Sequence, residues 1–161
     1  MEKQLEVGMV APAISLEGDD GATHTLEEQR GHWVLVYFYP KDNTPGCTTE
    51  ACMIRDMYDE FEDLGITVYG ISKDSVASHA RFKEKFELPF TLLSDPEGEV
   101  VEAYGAWKKK KMFGKESMGI VRSSFLIDPN GTIARVYPKV DPAAHAMEIL
   151  ADVRECMAER E

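Results

Sequence analysis

The sequence predicts an α/β fold in which helices flank a central mixed sheet. Residues 33–39 and 66–71 are short, continuous apolar runs rich in β-branched and aromatic side chains, a pattern typical of strands buried on both faces. The segment between them carries apolar residues at the spacing of one helix face, and Gly65 follows as a stop signal. These apolar residues are Ile54, Met57, Tyr58 and Phe61. A strand, helix and strand in this order are expected to form a parallel, right-handed unit.

The other elements follow in chain order around this unit. A small hairpin around residues 18–21 precedes it, and residues 75–86 have a helical pattern. The sequence Asp-Pro-Asn-Gly at 128–131 is a strong turn signal, so residues 124–127 and 132–137 are predicted to form a second hairpin.

A last helix is predicted over residues 143–157, where apolar positions keep helical spacing and should pack on the sheet. The order of elements is that of a thioredoxin-like domain with an N-terminal β-hairpin extension. No segment has the composition of a linker, so residues 1–161 are predicted to form one domain.

The composition of the chain limits its partners. The chain has 161 residues and a formal net charge of −11, which repels phosphate backbones and anionic lipid headgroups. Residues 1–6 lack an apolar core of signal-peptide length, and no stretch is long enough to span a bilayer. We therefore expect a cytoplasmic protein that binds neither nucleic acid nor membrane.

Three cysteines are present, and in a reducing compartment they are expected to be inert, catalytic or metal-bound. Cys156 lies near the apolar stripe of the last helix, which favours a packing role. The four histidines lack metal-ligand spacing to Cys47 and Cys52, so no metal site is predicted. The lysine run at 108–111 is interpreted as a solvated loop without a role.

Cys47 stands where a buried strand leads into the first amphipathic helix. Thr44 is a favoured N-cap residue type, and Pro45 suits the first helical position. Cys47 then falls in the first turn, where unpaired N–H groups and the helix dipole favour a thiolate. If that thiolate attacks a peroxide, negative charge grows on the departing oxygen. Local donors for that charge are the Thr44 hydroxyl and the N–H groups of Gly46 and Cys47.

This segment also carries a family resemblance. Pro40-x-x-x-Thr44-x-x-Cys47 resembles the signature of the peroxiredoxins, and three further segments are similar to the subgroup called bacterioferritin comigratory protein, or Q-type peroxiredoxin. These segments are TLLSDP (91–96), YGAW (104–107) and RSSFLIDPNG (122–131). The resemblance implies a thioredoxin-like fold and reduction of hydrogen peroxide and organic hydroperoxides without a cofactor. It also implies regeneration by thioredoxin or a similar dithiol protein. We expect a monomer or a weak homodimer.

The resemblance also implies roles for individual residues around the peroxide. Pro40, Thr44, Gly46 and Arg122 would bind the substrate, with Thr44 hydrogen-bonded to peroxide. Arg122 would stabilise the thiolate and the transition state. Glu50, three residues after Cys47 on the same helix face, would orient that arginine.

Cys47 would be the peroxidatic cysteine, and Cys52 would resolve its sulfenic acid as an intramolecular disulfide. Two residues five apart on an intact α-helix have Cα atoms about 8.7 Å apart. A disulfide requires no more than about 7 Å. The first turns of the helix are therefore expected to unwind after Cys47 is oxidised.

Two other functions stay open on the residues alone. A general thiol-disulfide oxidoreductase could share the fold, but such enzymes usually carry C-x-x-C, whereas this chain has C-x-x-x-x-C. A redox sensor or chaperone-like binding protein would be oxidised at Cys47 without turnover. Peroxide consumption, insulin reduction and multiple turnover distinguish the three.

Overall fold

The structure is a computed structural model that describes residues 5–112 and 114–159. Its strands are β1 (Ser15–Gly18), β2 (Thr23–Thr25), β3 (Trp33–Phe38), β4 (Ile66–Ser72), β5 (Thr91–Ser94), β6 (Trp107–Met112), β7 (Lys115–Ile120), β8 (Ser123–Ile127) and β9 (Ile133–Tyr137). Its helices are α1 (Pro45–Asp56), α2 (Tyr58–Asp63), α3 (Val76–Phe86), α4 (Glu99–Ala103) and α5 (His145–Glu159).

A mixed seven-stranded sheet forms the centre, in the order β2-β1-β5-β4-β3-β8-β9. The strands β3, β4 and β5 are parallel, whereas β8 runs antiparallel to β3 and β1 runs antiparallel to β5. Every residue of β3 is buried because apolar clusters cover both faces of the sheet. The predicted α/β class, parallel unit and both hairpins are confirmed.

The helix predicted between β3 and β4 is interrupted at Met57, so the prediction of one continuous helix is wrong. The ψ angle of Met57 is 12°, outside the helical range. Its N–H is shared between the carbonyls of Met53 and Ile54, a pattern common where a helix ends. The chain then resumes as α2, whose Phe61 is fully buried.

The interpretation of residues 108–111 as a loop is also wrong, because they lie in strand β6. This strand pairs with β7 in a separate two-stranded sheet, and the pairing runs from Trp107 opposite Ile120 to Met112 opposite Lys115. Four consecutive lysines carry no apolar alternation, so the sequence pattern could not reveal a strand that its hairpin partner stabilises. The strand β5 and the short helix α4 were likewise not predicted.

No helix in the described part of the chain is long and apolar enough to cross a membrane.

Candidate active site

The start of helix α1 lies at the carboxyl end of the buried strand β3. Thr44 has extended angles (φ −98°, ψ 156°) and Pro45 is the first helical residue, as predicted. The Thr48 N–H donates to the Thr44 carbonyl, which closes the first helical turn. The N–H groups of Gly46 and Cys47 precede that bond, so they lack intrahelical partners. Cys47 itself is only 2% exposed.

The Thr44 side chain does not cap the helix, although Thr44 occupies the N-cap position. Its hydroxyl donates to the Lys41 carbonyl at 2.9 Å. The prediction that this hydroxyl is a donor for the departing oxygen is therefore wrong, because its proton is directed to Lys41. Its lone pairs can still accept a hydrogen bond from another molecule. Pro40, between β3 and this loop, is exposed.

Arg122 reaches Cys47 from a distant part of the chain. It lies between β7 and β8, and its neighbour Ser123 pairs with Phe38, the last residue of β3. This register places Arg122 at the same end of the sheet as the start of α1. The Nη2 of Arg122 donates to Cys47 Sγ at 3.3 Å, and its Nη1 donates to Glu50 Oε1 at 2.8 Å. Arg122 thus bridges the thiol and the carboxyl group.

Glu50 is a fully buried acid whose ionisation is opposed by its surroundings. Burial raises the pKa of its carboxyl group to about 7, and the charge and hydrogen bond of Arg122 reduce that shift. Its Oε2 has no hydrogen-bond partner among the described residues. For Arg122, burial lowers the pKa, but Glu50 and Cys47 outweigh it and raise the pKa overall.

The buried Glu50 should make stability depend on pH. Because its pKa is raised, the folded protein keeps a proton between pH 4.5 and about 7 that the unfolded chain has lost. As pH rises through this window, the free energy of unfolding of the parent should therefore fall by up to about 3 kcal/mol relative to that of Glu50→Gln. Chemical denaturation across this pH range measures the difference. The exposed Glu97→Gln is the control, and a similar trend in it would contradict the assignment.

Gly46 leaves the space that the Arg122 guanidinium occupies. A Cβ atom added at Gly46 would lie 2.9 Å from Arg122 Nη2 and 3.9 Å from Pro142 Cγ. Any larger residue at this position would therefore push the guanidinium away from its contact with Cys47.

The other two cysteines differ in their environments. Cys52 is half-buried and lies on α1, the same uninterrupted helix as Cys47. Neither of these two cysteines forms a disulfide. Cys156 lies on the buried face of α5, within the core cluster, and burial raises the pKa of its thiol. The predicted packing position of Cys156 is confirmed.

The lysine-rich hairpin adds a positive charge close to this site. Lys110 is half-buried, and burial, together with the charge of Arg122, lowers the pKa of its ammonium group, whereas Cys47 opposes that shift. Lys110 is therefore within electrostatic reach of both Arg122 and Cys47. The sequence interpretation gave this lysine run no role.

A second polar cluster lies under the loop that leads into α1, and the sequence analysis missed it. Asp42, Asp74 and His79 each place a potential metal-ligand atom within 4.8 Å of the others. Hydrogen bonds already join these groups: the Asp42 carboxylate contacts His79, and Asp74 accepts from the Asp42 N–H. Asp42 and His79 are 37 residues apart, so spacing along the chain gives no local signal of this cluster.

Comparison with known proteins places this site in a family. The model of the AhpC/TSA family matches residues 7–136. Peroxiredoxin Bcp of Bacillus subtilis is 48% identical over 154 residues, which cover 94% of this chain and 98% of that protein. Peroxiredoxin Bcp of Escherichia coli K12 is 44% identical over 151 residues, covering 94% and 97%.

Solved structures agree with the sequence comparison. The bacterioferritin comigratory protein of Xanthomonas campestris, studied for its alkyl peroxide reduction activity, superimposes with a TM-score of 0.87 at 38% identity. The alignment covers 93% of this chain and 98% of that one. PrxQ of Xylella fastidiosa gives a TM-score of 0.89 at 33% identity, with 99% of each chain covered.

The chain belongs to the AhpC/TSA family, whose thioredoxin-like fold it shares. Within that family it is a peroxiredoxin, and therefore a thiol peroxidase, of the bacterioferritin comigratory protein or Q type.

Proposed function

We propose that Cys47 is the peroxidatic cysteine of this thiol peroxidase. The observation that carries the proposal is the contact of 3.3 Å between Arg122 Nη2 and Cys47 Sγ at the start of a helix. The Cys47 thiolate attacks one peroxide oxygen, so that an S–O bond forms while the O–O bond breaks. The departing oxygen takes up a proton and leaves as water or an alcohol. Cys47 is oxidised by two electrons to sulfenic acid.

The surrounding groups stabilise the charge that moves during this step. Arg122 favours the thiolate and donates to the peroxide oxygens in the transition state, and Glu50 holds its guanidinium in place. Thr44 accepts a hydrogen bond from the incoming peroxide, since its own proton is directed to Lys41. The free N–H groups at Gly46 and Cys47 supply further donors, and Pro40 borders the substrate.

Cys52 then resolves the sulfenic acid. Its thiol attacks the Cys47 sulfur, the S–O bond breaks, water leaves and an intramolecular disulfide forms. Both cysteines lie on the uninterrupted helix α1, where five residues separate Cα atoms by more than a disulfide permits. The helix must therefore unwind locally between oxidation and disulfide formation.

A dithiol protein such as thioredoxin closes the cycle by reducing the disulfide. The substrates are hydrogen peroxide and organic hydroperoxides, in keeping with the alkyl peroxide reduction studied in the Xanthomonas campestris relative. No metal or organic cofactor takes part in this cycle. We also propose that the protein is cytoplasmic and is a monomer or weak homodimer. Residues 1–161 would form one domain.

The decisive experiment titrates the reduced protein with hydrogen peroxide, alkylates the remaining thiols and maps each cysteine by mass. Stoichiometric oxidation of Cys47, followed by multiple turnover with a dithiol reductant, is expected. Turnover excludes a sensor without catalysis, and slow reduction of insulin disulfides excludes a general oxidoreductase. An unoxidised Cys47 at stoichiometric peroxide contradicts the proposal.

Gly46→Ala should separate activity from stability. Alanine is a better helix former than glycine, so the free energy of unfolding should be unchanged or slightly raised. The added methyl group displaces Arg122, so the rate constant of Cys47 oxidation should fall about tenfold or more. Stopped-flow fluorescence measures that rate constant. Thr49→Ala, an exposed position on the same helix, is the control, and an unchanged rate in Gly46→Ala would argue against the role of the Arg122 contact.

Removing Cys52 should arrest the cycle after its first step. We expect Cys52→Ser to accumulate sulfenic acid at Cys47 and to be over-oxidised to sulfinic acid more readily than the parent. In the parent, amides from Gly46 to about Ile54 should exchange much faster in the oxidised form than in the reduced form. Mass mapping and hydrogen exchange test both points. A disulfide from Cys47 to Cys156 or to a second chain would make Cys52 a bystander.

A further inference from the structure

A buried hydrogen-bond network holds the loop that leads into α1. Its centre is Asp42, whose side chain is 4% exposed. The Asp42 carboxylate accepts from the Tyr39 hydroxyl at 2.5 Å and from the Ser78 hydroxyl at 2.8 Å. It also contacts His79 Nδ1 at 2.7 Å, and the His79 ring is fully buried. The Asp42 carboxyl group therefore joins this loop to helix α3 through Ser78 and His79.

The partners of His79 fix the position of its ring. Its Nε2 lies 3.0 Å from the Leu93 carbonyl oxygen, which can only accept, so Nε2 donates to it. Its Nδ1 lies 2.7 Å from the Asp42 carboxyl group and 3.3 Å from the Tyr39 hydroxyl. His79 therefore joins the loop to strand β5.

Every anchor of this loop lies outside helix α1. His79 and Ser78 belong to α3, and Leu93 belongs to β5. The Asp42 N–H donates to Asp74 Oδ2 at 2.9 Å, which ties the loop to the end of β4. Unwinding of α1 therefore breaks none of these contacts.

The anchored loop ends directly at the active site. Asn43 has a positive φ of 59°, a conformation that asparagine tolerates, and its Oδ1 accepts a hydrogen bond from Lys85 Nζ of α3 at 3.3 Å. Thr44 follows as the N-cap, and Cys47 comes three residues later. A shift of Asp42 would therefore move the first turn of α1 and the donors that surround the Cys47 sulfur.

We propose that the hydrogen-bonded pair of Asp42 and His79 is a positioning element that holds the start of α1, and hence Cys47, in its reactive geometry. The same pair is the fixed point from which α1 unwinds when Cys47 joins Cys52. This inference rests on the proposed function, in which Cys47 reacts with peroxide and Cys52 resolves it. Asp42 and His79 are assigned this positioning role only, and no part in the chemical steps.

Loss of this pair should therefore have opposite effects on the oxidation of Cys47 and on disulfide formation. A loop freed from its anchor places Cys47 less accurately, which slows the reaction with peroxide. It also weakens the folded start of α1, which favours the unwound form that the disulfide requires. A loss of overall stability alone would not speed up one step while slowing the other.

The test uses three variants, namely Asp42→Asn, His79→Gln and the Asp42→Asn/His79→Gln double variant. Each is compared with the control Asp128→Asn. Asp128 is a matched control because it is also a buried acid that accepts backbone hydrogen bonds, but it lies at the opposite end of β3 and β8. Stopped-flow fluorescence gives the rate constant for Cys47 oxidation in a Cys52→Ser background. The same method gives the rate of disulfide formation in proteins that retain Cys52.

Each single variant should slow Cys47 oxidation about tenfold, speed up disulfide formation and reduce the exchange protection of residues 46–52 in the reduced protein. The double variant should equal the single variants, because both remove the same pair. Unchanged rate constants, or the same loss in Asp128→Asn, would overturn the proposal. Failure of the parent to oxidise at Cys47 would instead refute the proposed function.

A measurement on the unmodified protein does not depend on whether the variants fold. Nitrogen-15 NMR of the His79 ring follows the hydrogen bonds of both ring nitrogens, and their signals should be the same in the reduced protein and in the disulfide form. A change in either signal on oxidation would show that the anchor is released with α1, and would overturn its role as a fixed point.

Discussion

Replacing Cys47 by serine is expected to abolish peroxide turnover while leaving the fold intact. Serine is nearly the same size as cysteine but does not form a nucleophilic anion at neutral pH, so the first step cannot begin. Neither remaining cysteine occupies the start of a helix beside an arginine: Cys52 lies further along α1, and Cys156 is buried in the core. A coupled assay with thioredoxin, thioredoxin reductase and hydrogen peroxide measures the loss.

The matched control for this prediction is Cys156→Ser, which removes a buried thiol without touching the site. It should keep the turnover rate of the parent, although it can lower stability because a polar hydroxyl replaces the sulfur in an apolar environment. Residual turnover of peroxide by Cys47→Ser, above that of a heat-denatured sample, would disprove the assignment of Cys47.

Replacing Arg122 by methionine should reduce the rate constant of Cys47 oxidation by about 10² to 10³. Methionine approximates the length of the arginine stem but removes both donors, one to the Cys47 sulfur and one to Glu50. Part of the loss will come from a smaller thiolate fraction, which the pH profile of ultraviolet thiolate absorbance measures. The loss in rate constant that remains at a pH where Cys47 is fully ionised measures how much Arg122 stabilises the transition state.

Two further variants make this second result specific. Arg122→Met removes the charge and the hydrogen bond that hold down the pKa of Glu50, so the buried carboxyl group should then stay protonated near neutral pH. The double variant Arg122→Met/Glu50→Gln mimics that neutral form and should therefore match Arg122→Met in stability and in its slow oxidation. Arg135→Met is the control, because Arg135 is a half-buried arginine whose ion pair with Glu155 lies away from Cys47. A rate loss that disappears once Cys47 is fully ionised would contradict a role for Arg122 in the transition state.

Features of the fold that depend on residues close together in the sequence could be predicted from the sequence. The runs at 33–39 and 66–71 appear as β3 and β4, and the Asp-Pro-Asn-Gly turn joins β8 to β9. The helix start at Thr44 and Pro45 is also local, because capping is decided within one turn. The position of Cys47 in the first turn follows from these two residues.

The contacts around the Cys47 sulfur belong to the tertiary structure. Arg122 is 75 residues from Cys47 in sequence, and only the antiparallel pairing of β8 with β3 brings it to the start of α1. Family resemblance pointed to Arg122, whereas composition and spacing offered no more than a lone arginine. Gly46 shows the same dependence, since its lack of a side chain matters only because the Arg122 guanidinium fills that space.

The elements that sequence analysis missed have a common physical cause. The lysine strand β6 exists because β7 pairs with it, and the contact between Asp42 and His79 spans 37 residues. By itself the sequence determined where most strands and helices form and that Cys47 stands in the first turn of α1, because short-range sterics, capping and apolar periodicity decide these. Only the tertiary structure decided which charged groups meet around that cysteine, because burial and electrostatic pairing depend on residues that are distant along the chain.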